Sequence, residues 1–90
     1  MYPFSCIIPV LHEAEGINAC LDTFFRHVSP ELCEVIVVDG DAEGSTICRI
    51  ARPQVITLCA PRGRGQQMNA GVRRAQGERR GGSAFLRRPR

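Results

Sequence analysis

The sequence predicts an α/β fold, a three-stranded parallel sheet with flanking helices, on three observations. Three short apolar runs recur along the chain, segments of helical periodicity separate them, and the runs are continuous rather than alternating. Continuous runs belong to strands covered on both faces, as in parallel sheets. The runs are residues 4–10 (FSCIIPV), 34–38 (EVIVV) and 54–58 (QVITL), the last continuing into Cys59. Each has strand length and ends at polar, glycine or proline residues.

The segments between them read as helices. Over residues 14–27, Ile17, Leu21 and Phe24, with Val28 just beyond, form one face, and Pro30 closes the segment. Residues 45–51 carry Ile47 and Ile50 and stop before Pro53, which pushes the preceding residue out of helical geometry. Residues 66–74 place Met68 and Val72 four apart, although Gly71 costs such a helix about 1 kcal/mol. The order β-α-β-α-β-α implies a parallel sheet with right-handed crossovers, and strand order 3-2-1 is expected.

Ninety residues make one small domain, which buries only about 60% of its unfolded surface and is marginally stable. The apolar share of 43% is that of a folded protein. No stretch reaches the roughly 20 apolar residues that span a bilayer, and no basic segment precedes the first apolar run, so a cytoplasmic protein is expected. Five cysteines at wide, irregular spacing fit neither a disulfide framework nor a zinc site; Cys6, Cys33 and Cys59 read as small core residues. Charge divides the chain. Residues 1–78 hold seven arginines and all nine acids, a net of −2, whereas residues 79–90 hold five arginines and no acid, a net of +5. The expected organisation is a domain over residues 1–78 and an arginine-rich tail over 79–90.

Ligands of parallel sheets bind beyond the carboxyl ends of the strands, so three loops matter: 11–16, 39–45 and 60–65. The first brings His12, Glu13 and Glu15 to a strand-to-helix junction; the two acids suit either a ligand or the positive end of a helix in its first turn. The second begins with Asp39, directly after a buried strand, where a carboxylate can accept from a ribose hydroxyl or a base N–H. Asp39 stands too early to cap the next helix, whereas Asp41 and Ser45 are placed to do so. Gly40 and Gly44 permit close approach of a ligand. The third loop holds Arg62 and Arg64 between glycines before a helix, which suits anion capture or a solvated basic turn equally.

Taken in order, IIPVLHEAE, EVIVVDGDAEGST and PRGRGQQMNAGVRRAQGE resemble family 2 glycosyltransferases over residues 4–78. The VVDG and QMNAG signatures look most like a small bacterial branch of that family. The resemblance implies the nucleotide-binding half of a GT-A (Rossmann-like) fold, which takes a nucleotide-diphosphate sugar, commonly UDP-linked. It implies that Pro9, Val10, Leu11 and Glu13 line the nucleotide, that Asp39, with Gly40 after it, meets base or ribose, and that the third loop and Asn69 close over the ligand. Family members often carry arginine just before that asparagine; here the position is Met68, so Arg62 or Arg64 would supply the charge. His12 stands where the family has asparagine.

After Gly77-Glu78 the family continues into an apolar strand and a DxD-like motif that holds divalent Mg or Mn. Here the chain reads RRGGSAFLRRPR, so the resemblance implies no metal ligands and no catalytic base in this chain, and the tail reads either as a truncated or out-of-frame end or as an arginine-rich arm for an anionic partner. The alternative is a non-catalytic module that binds a nucleotide or a protein. Nucleic acid is not expected as a partner, because no aromatic residues interleave the arginines. Loss of the fourth strand would leave the first at an edge, and pairing with a second copy there is expected.

Overall fold

The computed structural model describes residues 2–78; the tail 79–90, with the expectations placed on it, lies outside the described residues. The elements are β1 (Phe4–Val10), α1 (Ile17–His27), β2 (Cys33–Asp39), a single 3₁₀ turn (Ile47–Arg49), β3 (Ile56–Cys59) and α2 (Arg64–Glu78). The strands form one parallel sheet in the order β1-β2-β3, as expected. Among the described residues no helix is long and apolar enough to cross a membrane.

β2 is central, and all seven of its residues are buried. Its side chains alternate between faces. Cys33, Val35 and Val37 join Val10, Ile17, Leu21 and Val55 in the core beneath α1. Ile36 and Val38 join Ile7 and Ala75 beneath α2. Two covered faces are why the sequence run is unbroken by polar residues. The exception, Glu34, accepts a hydrogen bond of 2.8 Å from the buried Ser5 hydroxyl on the neighbouring strand.

α1 begins at Ile17, three residues later than its periodicity suggested. The Glu13 carbonyl accepts from both Gly16 N–H and Ile17 N–H, making a tight turn that holds 14–16 out of the helix. Glu13 and Glu15 therefore precede the helix, and its first turn contains no acid. The other end falls at His27, as expected; Arg26 and His27 occupy the last turn, favourable to the dipole, and the extended Val28 closes the helix through its N–H to the Phe24 carbonyl. Arg52 fastens the following loop back onto α1, pairing with Asp22 at 2.9 Å and lying 4.7 Å over the Phe25 ring.

The helix expected over 45–51 shrinks to one 3₁₀ turn because side chains compete for its backbone groups. Asn18 donates to the Arg49 carbonyl at 2.8 Å and accepts from Ala51 N–H at 2.9 Å. β3 starts at Ile56 rather than at residue 54, since Val55 N–H closes a turn on the Arg52 carbonyl. Cys59, expected in the core, is exposed at the end of this edge strand; Cys33 is buried and Cys6 partly so, and all five thiols are free.

α2 is longer than expected on both sides. It crosses to the face opposite α1 and presents Gln67, Gly71 and Ala75 to the sheet, a four-residue repeat. Gly71 is explained by packing: a Cβ there would lie 2.5 Å from Ile7 Cγ2, so the missing methyl is what lets α2 rest on β1.

Two predictions follow from this core. Gly→Ala in a helix ordinarily gains about 1 kcal/mol, but Gly71→Ala will lose about 1–3 kcal/mol by overpacking. Urea unfolding measures this, and the loss should shrink in an Ile7→Ala background; equal losses in both backgrounds would show that Ile7 is not the obstacle. Burial, then the nearby Cys6 and Glu34, raise the Cys33 thiol from 9.0 to about 11. Between those values the unfolded chain releases a proton that the folded chain keeps, so stability falls as pH rises through the window. The urea midpoint should drop from pH 8 to pH 10.5, and drop less in Cys33→Ala.

Candidate functional site

The carboxyl ends of the strands carry the loops that the sequence singled out, and buried side chains tie those loops together. Asp39, the last residue of β2, is 0% exposed. Its Oδ1 accepts from Asp41 N–H at 2.9 Å, and its Oδ2 accepts from Thr46 N–H at 2.9 Å and Ile47 N–H at 3.1 Å. Asp39 is thus the cap of the 3₁₀ turn, reaching it across the loop. Counted along the chain Asp39 stands too early to cap this turn, but the loop folds back and brings the turn to it through space. Thr46, also fully buried, accepts from Glu13 N–H at 2.8 Å through its hydroxyl. An unbroken chain of bonds therefore runs from β2 through the second loop to the first.

Gln67, on the first turns of α2, does the same for the third loop. Its Nε2 donates to the Val10 carbonyl at 3.0 Å and the Val38 carbonyl at 2.8 Å, while its Oε1 accepts from Gly63 N–H at 3.1 Å. Gly40 N–H donates to the same Val10 carbonyl at 2.9 Å, and Ala60 N–H donates to the Asp39 carbonyl at 3.0 Å. Gly40 must be glycine for this: a Cβ would stand 2.7 Å from Gln67 Oε1 and 3.3 Å from Arg62 Cα.

At the rim, His12 has φ 53°, the left-handed region, and its Nδ1 lies 4.0 Å from Asp41 Oδ2. Histidine is among the side chains that tolerate this region best. The Ser45 side chain, then the Glu43 N–H, hold the Asp41 carboxyl below the usual carboxylate range.

These ties leave a cleft of about 370 Å³ lined by Pro9, Val10, Leu11, Glu13, Arg64 and Gln67. Five of the nine residues expected at a site meet there. Of the other four, Asp39 lies beneath the second loop with its carboxylate bonded to loop amides. Gly40 packs on Gln67, and Arg62 is exposed on the third loop. Asn69 is exposed, two residues or about 200° around α2 from Gln67, and does not line the cleft. Gln67 and Thr46 were missed. For Gln67 a signal existed: a polar residue one position from Met68 and four from Gly71 falls on the sheet-facing side of its helix. Among the described residues no group of three His, Cys, Asp or Glu could hold a metal ion.

A family model described as Glycosyl transferase family 2 matches residues 5–81, a span that contains every loop of this site. No curated protein and no solved structure matches the chain.

Asp39→Ala leaves three buried or half-buried amides without an acceptor, and one hydrogen bond to a charged group contributes about 1.5–3 kcal/mol. We expect a loss of about 3 kcal/mol, or about 10–20 °C in Tm for a domain of this size. Thermal unfolding followed by circular dichroism checks this. An unchanged Tm would show that the carboxylate does not organise the loop.

Proposed function

The chain belongs to glycosyl transferase family 2, and from that membership we propose that the cleft at the carboxyl end of its sheet binds a nucleotide-diphosphate sugar, the donor in glycosyl transfer. The observation that carries the reading is the convergence of Pro9, Val10, Leu11, Glu13 and Arg64 on one cleft at the place where parallel sheets take ligands.

Each lining group has a chemical part. The Pro9–Leu11 segment gives an apolar wall for the flat face of a base. The Glu13 carboxylate is an acceptor for ribose hydroxyls or a base N–H, and its backbone is held by Thr46. Arg64 opens α2, so its guanidinium and the positive end of a 15-residue helix act together on a diphosphate. Asp39 contributes through the loop that it orders. A divalent ion would offset further diphosphate charge, but the described residues offer no cluster to hold one. Among the described residues that line the cleft, the positive charge is that of Arg64 at the start of α2.

Calorimetry with uridine diphosphate tests the reading. The wild-type chain should bind, and Arg64→Ala should bind about 10- to 100-fold more weakly, the value of a hydrogen bond to a charged group. Arg73→Ala, an exposed arginine of the same helix outside the cleft, controls for net charge. Absence of wild-type binding, or equal loss in both variants, would defeat the proposal.

A further inference from the structure

Backbone carbonyls near the carboxyl ends of parallel strands that lack a ladder partner leave partial negative charge beside any ligand bound there. Unpaired, such oxygens would repel a diphosphate. In this chain those at the ends of β1 and β2 have partners. The Val10 carbonyl accepts from Gly40 N–H and Gln67 Nε2, the Val38 carbonyl from Gln67 Nε2, and the Asp39 carbonyl from Ala60 N–H. Gln67 supplies two of these four bonds while buried to 4% exposure, and it lines the cleft as well.

Its hydrogen-bonding inventory limits what else it can do. A primary amide has two N–H donors and two acceptor lone pairs. Both donors go to strand carbonyls, and one lone pair takes Gly63 N–H at 3.1 Å. One acceptor site remains, and an acceptor cannot bind phosphate oxygen. Gln67 therefore does not contact the anionic part of a ligand. It acts on residues that do: its bond to Gly63, which sits at φ 136°, fixes the loop between Arg62 and Arg64.

We infer that Gln67 is the positioning residue of the donor cleft, neutralising the strand-end carbonyls and setting the third loop so that Arg64 faces the diphosphate. The inference rests on the donor reading above and adds to it the residue that makes the sheet end compatible with an anion. Gly40 is its partner in this role, since any side chain at that position would displace the Gln67 amide.

Two variants perturb the device independently. Gln67→Met keeps the length and removes the polar groups. Gly40→Ala keeps every group and pushes the amide aside. Leu21→Ala, in the core beneath α1 away from the cleft, matches them for lost stability. Each is studied at a temperature where circular dichroism shows it folded. Uridine diphosphate affinity should fall at least 10-fold in both perturbing variants and stay within about twofold in Leu21→Ala. Hydrogen exchange supplies a readout that needs no ligand: Gly63 N–H should be protected in the wild type and exchange at least 10-fold faster in Gln67→Met, with Ile36 and Val37 amides unchanged relative to Leu21→Ala. If wild type binds and Gln67→Met binds as tightly, the positioning role is wrong although the donor reading stands. If wild type fails to bind, the donor reading falls, and the role of Gln67 in holding the loop is judged by Gly63 exchange. Unprotected Gly63 in the wild type overturns it.

Discussion

Backbone polar groups at the carboxyl end of the sheet must find partners once they are buried, and two side chains meet most of that demand. Asp39 accepts from three loop N–H groups, and Gln67 donates to two strand carbonyls, one of which, Val10, also accepts from Gly40 N–H. A buried unpaired polar group costs about 1–3 kcal/mol. Stabilities of 5–15 kcal/mol are typical of folded domains, and this one is small. A few such groups left unpaired would equal much of the free energy of folding. The acid and the amide are therefore conditions for the fold as well as for the cleft.

The rest of the architecture follows from where those two residues must sit. Gln67 reaches both Val10 and Val38 only if α2 lies directly on β1 and β2, and Gly71 makes that approach possible by leaving room for Ile7. Asp39 reaches Thr46 and Ile47 only if the second loop folds back over the end of β2. That fold-back carries Thr46 to Glu13 and so sets the first loop too. The cleft lies between two cross-linked systems, one centred on Asp39 and Thr46, the other on Gln67. A membership in glycosyl transferase family 2 is consistent with a preformed cleft of this kind, since rigid positioning of lining groups lowers the ordering cost of binding.

Much of this was legible in the sequence. The bounds of β1 follow from its apolar run, and β2 extends its run by one residue at each end. The apolar face of α1 and the three loops were placed by periodicity and by proline and glycine. Of the nine residues that the resemblance groups, Pro9, Val10, Leu11, Glu13 and Arg64 line one cleft, whereas Asp39, Gly40, Arg62 and Asn69 do not. The differences fall where particular hydrogen bonds override the periodic pattern. Backbone turns at Glu13 and Arg52 delay α1 and β3, and the bonds of Asn18 to Arg49 and Ala51, more than 30 residues along the chain, shorten the 3₁₀ segment; periodicity encodes none of these.

What the sequence by itself determined is the layer plan: which segments are strands, which faces are apolar, and where the loops after the strands fall. Hydrophobic period and turn chemistry are local, so they can be read from neighbours along the chain. Only the tertiary structure decided what the polar residues do. Asp39 bonds to residues two, seven and eight positions away, and Gln67 to carbonyls 29 and 57 positions away. A hydrogen bond depends on distance and angle in space, and two residues that far apart acquire both only when the sheet has assembled between them.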